Sequence, residues 1–87
     1  MANMEVLKEK ADSGDVKAQY EIAICYEKGL GVTKDYTKAA YYYLLSAKQG
    51  YKSAMFNLAT MYELGLGVEK SDLQAKYWRD KYYEEYD

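Results

Sequence analysis

The chain has no proline and no histidine, and only one cysteine, one tryptophan and one phenylalanine. Without proline, no segment carries the ring that breaks a helix interior, which suits a chain that is mostly helix. Without histidine, and with no serine beside a substitute base, the nucleophilic triads are excluded. A metal site would have to be all-oxygen, and no calcium-loop spacing occurs. No catalytic, metal-binding or cofactor-binding residues are therefore assigned, and an enzyme is not expected. The lone Cys25 cannot form an internal disulfide, which fits a reducing compartment. The charge balance is mild, with twelve lysines and arginines against fourteen acidic residues, and Arg79 is the sole arginine. A protein that tracks a phosphate backbone needs a basic stripe, so nucleic acid is not an expected partner. No apolar run is long enough for a leader peptide at the start or a membrane span later on. A soluble cytoplasmic protein is the expectation.

What the chain has in excess is tyrosine, at twelve residues, and self-similarity. Tyrosine brings a large apolar ring with a wettable tip, useful both in a thin core and at an interface. Gly14, Ala18, Ala23, Tyr26, Glu27, Gly29, Leu30, Gly31, Val32, Lys34, Ala39 and Tyr41 each recur with the same identity 36 positions later. A fixed offset in this range marks a stacked repeat, in which each unit buries its apolar face against its neighbours.

Each repeat reads as two helices, here called A and B. From Asp15 to Lys28, Ala18, Ile22, Cys25 and Tyr26 fall at three- and four-residue spacing, the stripe of an amphipathic helix. Gly29 stops that helix by admitting the left-handed conformation of a C-terminal cap. The next helix spans about Asp35 to Lys48, with Asp35 as its N-cap and Gly50 at its end. The second copy repeats the scheme: Tyr51 to Leu64, a Gly65-Leu66-Gly67-Val68 connector, and a helix opened by Ser71 or Asp72. Residues 3–12 align with the B helix and form a half-unit, giving five helices in the order B-A-B-A-B. The predicted domain is single: a capping half-repeat at 3–13, repeat one at 14–49, and repeat two with a capping tail at 50–87.

Small residues set the packing. Ala18, Ala23 and Ala39, with Ala54, Ala59 and Ala75, sit where bulk would hold neighbouring helices apart. Ile22/Leu58, Tyr26/Tyr62 and Tyr42/Trp78 fill the spaces between. The tail departs from the pattern: Tyr82, Tyr83 and Tyr86 replace Ser46, Ala47 and Gly50. Such bulk reads first as a cap that ends the stack of a monomer, and second as a self-association face. The closing Glu84-Glu85-Tyr86-Asp87 reads as a solvated, frayed helix end.

Ala18, Ile22-Ala23, Tyr26, Gly29-Leu30-Gly31-Val32, Asp35, Lys38-Ala39, Tyr42-Tyr43 and Ala47-Lys48-Gln49-Gly50 together resemble the Sel-1-like repeat family. That family is a branch of the tetratricopeptide-like helical solenoids. Ala54, Leu58-Ala59, Tyr62, Gly65-Leu66-Gly67-Val68, Ala75 and Trp78 repeat the match. The resemblance implies an all-α solenoid of about two and a half helix-turn-helix repeats in a right-handed stack. It also implies a concave face lined by the first helix of each pair. The candidate partner-binding residues are then Lys17, Tyr20, Glu21, Ile24, Glu27 and Lys28 from repeat one. Repeat two supplies Ser53, Phe56, Asn57, Thr60, Glu63 and Leu64.

Gly29-Leu30-Gly31 and Gly65-Leu66-Gly67 are not phosphate loops. They follow a helix C-terminus, where free carbonyls disfavour an anion. Cys25, aligned with Met61, reads as a structural thiol. Mixed aromatic, aliphatic and charged side chains on the A helices suit a peptide or a partner protein, with Tyr20 and Phe56 as anchors. Glu27 and Glu63 either favour a basic partner or solvate and cap their helix ends. The expected function is a protein–protein interaction module; the alternative is an inhibitor or immunity-type protein that blocks an enzyme or toxin stoichiometrically. Ala54→Trp overpacks the joint between repeats and is expected to cost about 1–3 kcal/mol of stability in a thermal melt.

Overall fold

The computed structural model describes residues 4–84, and every regular element within them is a helix. In chain order these are α1 Met4–Asp12, α2 Val16–Lys28, α3 Tyr36–Lys48, α4 Lys52–Leu64 and α5 Asp72–Tyr83. The five-helix stack expected from the repeat is present. Residue 3, where the first helix was expected to begin, lies outside the described residues, as do Tyr86 and the rest of 85–87.

The helix ends show how local chemistry sets the boundaries. Asp15 stands outside α2 as its N-cap, its carboxylate accepting the Ala18 amide N–H at 2.8 Å. Asp35 does the same for the Lys38 amide at 3.1 Å. Of the two candidates for α5, Ser71 is the cap, accepting from the Gln74 amide. Each bond satisfies one of the amides that a helix start leaves without a partner. Tyr51 occupies the fourth such position and caps nothing with its side chain. Its ring lies instead 5.0 Å from that of Tyr20, so α4 exchanges a cap for an aromatic contact with α2.

At the other ends, Gly29 and Gly65 adopt the left-handed conformation and donate their amides to Cys25 O and Met61 O. Each A–B connector then closes with one more pair of bonds. Leu30 donates to Cys25 O and Asp35 to Tyr26 O; Leu66 donates to Met61 O and Ser71 to Tyr62 O. The two connectors therefore have the same hydrogen-bonded shape. Gln49, with φ −89°, caps α3, and the reversal expected at Gly50 follows it at φ 94°.

Each helix packs mainly on its neighbours in the chain. The molecule is 18 Å through its thinnest direction, room for two helix layers at about 10 Å each. The core lies between those layers. Ala23, Ala39, Ala54 and Ala59 have no exposed surface, and Ile22, Tyr43 and Leu58 fill the spaces they leave. Tyr62 is only half-buried, packed at the margin of this core. Two polar side chains are buried with it: Gln19 donates to Ala11 O at 3.0 Å and Ser46 to Val16 O at 2.9 Å. Both tie a helix end to the next layer, and a donor here without its acceptor would cost about 1–3 kcal/mol.

The outward face of α5 differs from the matching face of α3. Ala40 and Ala47 are buried and Leu44 is half-buried on the core, where α4 covers α3. Their counterparts on α5 are Lys76, Asp80 and Tyr83. Lys76 and Asp80 pair with each other at 2.7 Å in solvent, and Tyr83 is exposed. A further helix laid on α5 would have to desolvate that ion pair. Tyr82, by contrast, packs against the core and meets the Phe56 ring at 5.1 Å. The outward face of α5 thus carries charge as well as the exposed Tyr83 ring.

Successive repeats also touch through their connectors. A Cβ at Gly67 would run into the Tyr36 carbonyl and the Thr37 amide nitrogen, at the start of α3. At Gly31 the same atom would meet only the Met4 side chain, 3.3 Å from Cγ. Both glycines have positive φ, 75° and 70°, so alanine is strained equally at each. Gly67→Ala should therefore destabilise by roughly 1–3 kcal/mol more than Gly31→Ala, since backbone yields less than a methionine. Paired thermal melts of the two variants measure the difference.

Candidate partner-binding face

The A helices, α2 and α4, are bridged by one side chain from the B helix between them. The Tyr43 ring is fully buried, and its hydroxyl donates to Glu27 Oε1 on α2 at 2.5 Å. The same oxygen accepts from Asn57 Nδ2 on α4 at 3.2 Å. Burial, and then the Glu27 carboxylate, push the Tyr43 hydroxyl far above the ordinary tyrosine range. Glu27, Tyr43 and Asn57 form a polar seam that fixes the spacing of the two A helices.

Repeat two builds the same contact with different chemistry. Arg79 aligns with Tyr43 and Glu63 with Glu27, and the Arg79 guanidinium donates to Glu63 Oε2 at 3.4 Å. Both glutamates thus meet a donor from their own B helix. Neither caps the following glycine turn, whose amides are taken by Cys25 O and Met61 O.

The other candidate residues divide by burial. Tyr20 is half-buried against Tyr43 and Tyr51, its ring centroid 6.0 Å and 5.0 Å from theirs, so it packs at the margin of the core. Phe56, aligned with Tyr20, is 41% exposed although its ring touches Tyr82. Leu64 at the end of α4 is 60% exposed. Lys17, Lys28 and Ser53 are exposed, while Glu21, Ile24 and Thr60 are half-buried. Thr60 turns its hydroxyl back to Phe56 O. Cys25 is half-buried beside the core, and burial raises its thiol pKa, which keeps it a weak nucleophile.

Sequence reasoning missed Tyr43 as the bridge and Arg79 as its counterpart. The available signal was their shared place in the repeat, each sixteen positions after a repeated glutamate. Tyr42 is buried as its place in the packing scheme implied, but its bond to α1 was missed: it donates to Asp12 Oδ1 at 2.9 Å and has its pKa pushed up to about 12, chiefly by burial. Lys8 completes that cluster, 2.7 Å from the Asp12 carboxylate. Among the described residues no group of side chains is placed to hold a metal ion, and no helix is long and apolar enough to cross a membrane.

These two tyrosines give the molecule an alkaline limit. Below pH 10 both are neutral in the folded and the unfolded chain, so their full contribution to stability is present. Above it the unfolded chain releases protons that the folded chain holds, to about 12 at Tyr42 and higher at Tyr43. Stability falls across that window because the folded state binds more protons. Denaturant melts at rising pH should show this loss, and Tyr42→Phe/Tyr43→Phe should flatten it while lowering stability at neutral pH.

The Sel1 repeat pattern matches residues 16–51 and 52–78, two abutting segments that carry both A helices and their connectors. The structure is similar to a protective antigen of uropathogenic Escherichia coli that displays an SLR fold, with TM-score 0.87 and 30% sequence identity. That match covers 91% of this chain and 17% of the antigen chain. A Sel1 repeat protein from Oxalobacter formigenes matches with TM-score 0.89 and 33% identity, over 91% of this chain and 23% of that one. The chain thus spans under a quarter of the length of either of these proteins. No curated protein matches it. Two repeats in register, the conserved connector geometry and these structural likenesses show that the chain belongs to the Sel1 repeat family, whose helical stacks are in general protein–protein interaction scaffolds without catalytic chemistry.

Proposed function

We propose that this chain binds a peptide or helical segment of a partner protein along the shared face of α2 and α4. The observation that carries the reading is the pairing of exposed apolar surface with a locked frame. Phe56 and Leu64 stand out from α4 while the Glu27–Tyr43–Asn57 seam and the Arg79–Glu63 pair hold the helices beneath them. A frame already ordered before binding reduces the entropy lost on association. Exposed aromatic and aliphatic side chains on it serve as anchors, ringed by Lys17, Glu21, Lys28 and Ser53 for specificity. Tyr20 contributes one flank of its ring and its position, being held by Tyr43 and Tyr51.

Glu27 and Glu63 have internal donors, so their negative charge is partly spent within the repeat. Their remaining oxygens face a partner as acceptors, which favours amide or basic donors over carboxylates on this face.

Phe56→Ala and Leu64→Ser are expected to weaken partner capture about tenfold or more each while preserving helical circular dichroism. The comparison is an affinity measurement on a captured partner, with the exposed Lys10→Ala on α1 as control. Unchanged affinity in both variants would remove this face from the function. Collapse of the helical signal in Phe56→Ala would reassign that ring to the core.

A further inference from the structure

The two repeats differ most where a B helix meets the end of the B helix before it. In the first copy, Tyr42 on α3 donates its hydroxyl to the Asp12 carboxylate at the end of α1. Lys8 neutralises the same carboxylate. Behind it Gln19 donates to Ala11 O, and Gln49 donates to Gly14 O and to Gln19 Oε1. The junction is filled by the chain's own side chains.

Among the described residues, the same junction in the second copy, between the end of α3 and α5, is open. Trp78 replaces Tyr42, Lys48 replaces Asp12, and Met55 replaces Gln19. What results is a cleft of about 350 Å³ whose lining includes Lys48, Met55, Tyr77, Trp78, Lys81 and the acidic Glu84. A cation, Lys48, stands at the position of Asp12, and the carboxylate that lines the cleft is that of Glu84, on the side of Lys81. Among the described residues Lys48 has no ion-pair partner, and no acceptor takes the Trp78 indole N–H; no buried side-chain nitrogen or oxygen is left unsatisfied, so that N–H meets solvent. Lys81 reaches Glu84 only at 3.7 Å. The rim is held in place by Lys52, whose ammonium donates to Lys81 O and Glu84 O. Tyr77, half-exposed and edge-on to Trp78 at 5.0 Å, forms an apolar wall.

We propose that this cleft is a second binding site, separate from the α2–α4 face, that takes an aspartate or glutamate side chain of a partner protein. The incoming carboxylate accepts from the Trp78 N–H and the Lys48 ammonium, as Asp12 accepts from Tyr42 and Lys8 in the first copy. The residue beside it in the partner lies on Tyr77. The first copy thus shows the bound arrangement in intramolecular form, and among the described residues no carboxylate takes the Trp78 N–H or the Lys48 ammonium in the second.

The single tryptophan makes the test direct, because its indole N–H gives one resonance in an ¹⁵N-labelled sample. N-acetylglutamate α-amide is titrated against N-acetylglutamine α-amide as the neutral control. The carboxylate should move the indole resonance saturably, and the amide should bind roughly fivefold more weakly or worse. Lys48→Gln should weaken the carboxylate by a similar factor, and Lys48→Asp, which restores an internal carboxylate, should abolish the response with the fold intact. Phe56→Ala should leave the titration unchanged, which separates this site from the α2–α4 face. Equal responses to both probes, or unchanged affinity in both Lys48 variants, would overturn the proposal. So would a Glu85→Gln/Asp87→Asn variant whose indole resonance shifts without ligand and whose affinity for the probe rises. That result would mean the chain's own carboxylates occupy the cleft.

Discussion

Close approach of helices across alanine is the constraint on which the rest of the molecule depends. With Ala23, Ala39, Ala54 and Ala59 fully buried, neighbouring axes come close enough for Ile22, Leu58 and the Tyr43 ring to interlock across the layers. In a domain this small the core is thin, and few bulky groups are wholly inside. Tyrosine meets that situation well, because its ring adds apolar area and its hydroxyl finds an acceptor at the margin of the core. Tyr42 and Tyr43 each reach a carboxylate on another helix, so they serve as packing and as cross-links together.

Repetition with substitution turns this packing scheme into distinct surfaces. Position by position, the two units share a backbone, a connector and an alanine seam, and differ in the groups set on that frame. Tyr43 faces Glu27 where Arg79 faces Glu63; the first contact is part-buried and also engages Asn57, while the second is open to solvent. Ala40 and Leu44 pack under a neighbouring helix, and their counterparts Lys76 and Asp80 on α5 pair with each other in solvent. Asp12 fills one junction from within, and Lys48 leaves its counterpart to be filled from without.

Surface on the A helices illustrates why a repeat frame suits recognition. Its rigidity comes from bonds made beneath the surface, and so the exposed residues are free to vary without cost to the fold. Phe56 and Tyr20 occupy the same repeat position, yet Tyr20 is wedged between two tyrosines and Phe56 projects. One of the two rings that hold Tyr20 is Tyr43, and at that repeat position the second copy has Arg79.

Periodicity alone determined the helices, their order and the alanine seams, because a 36-residue repeat of small and bulky residues has one economical way to bury its apolar faces. It also placed the caps, since Asp35 and the glycines act through their immediate neighbours in the chain. The placement of Asp15 outside α2 and the choice of Ser71 over Asp72 are adjustments of a residue at a boundary. Contacts between side chains distant in sequence were decided only by the tertiary structure. Asp12 and Tyr42 are thirty residues apart, and nothing in their local sequence says that they meet. The Tyr43 bridge, the exposure of Phe56 beside Tyr82 and the open cleft at Trp78 depend likewise on which neighbour the stack supplies. Local chemistry sets the elements, whereas burial and partner choice exist only once several elements converge in space.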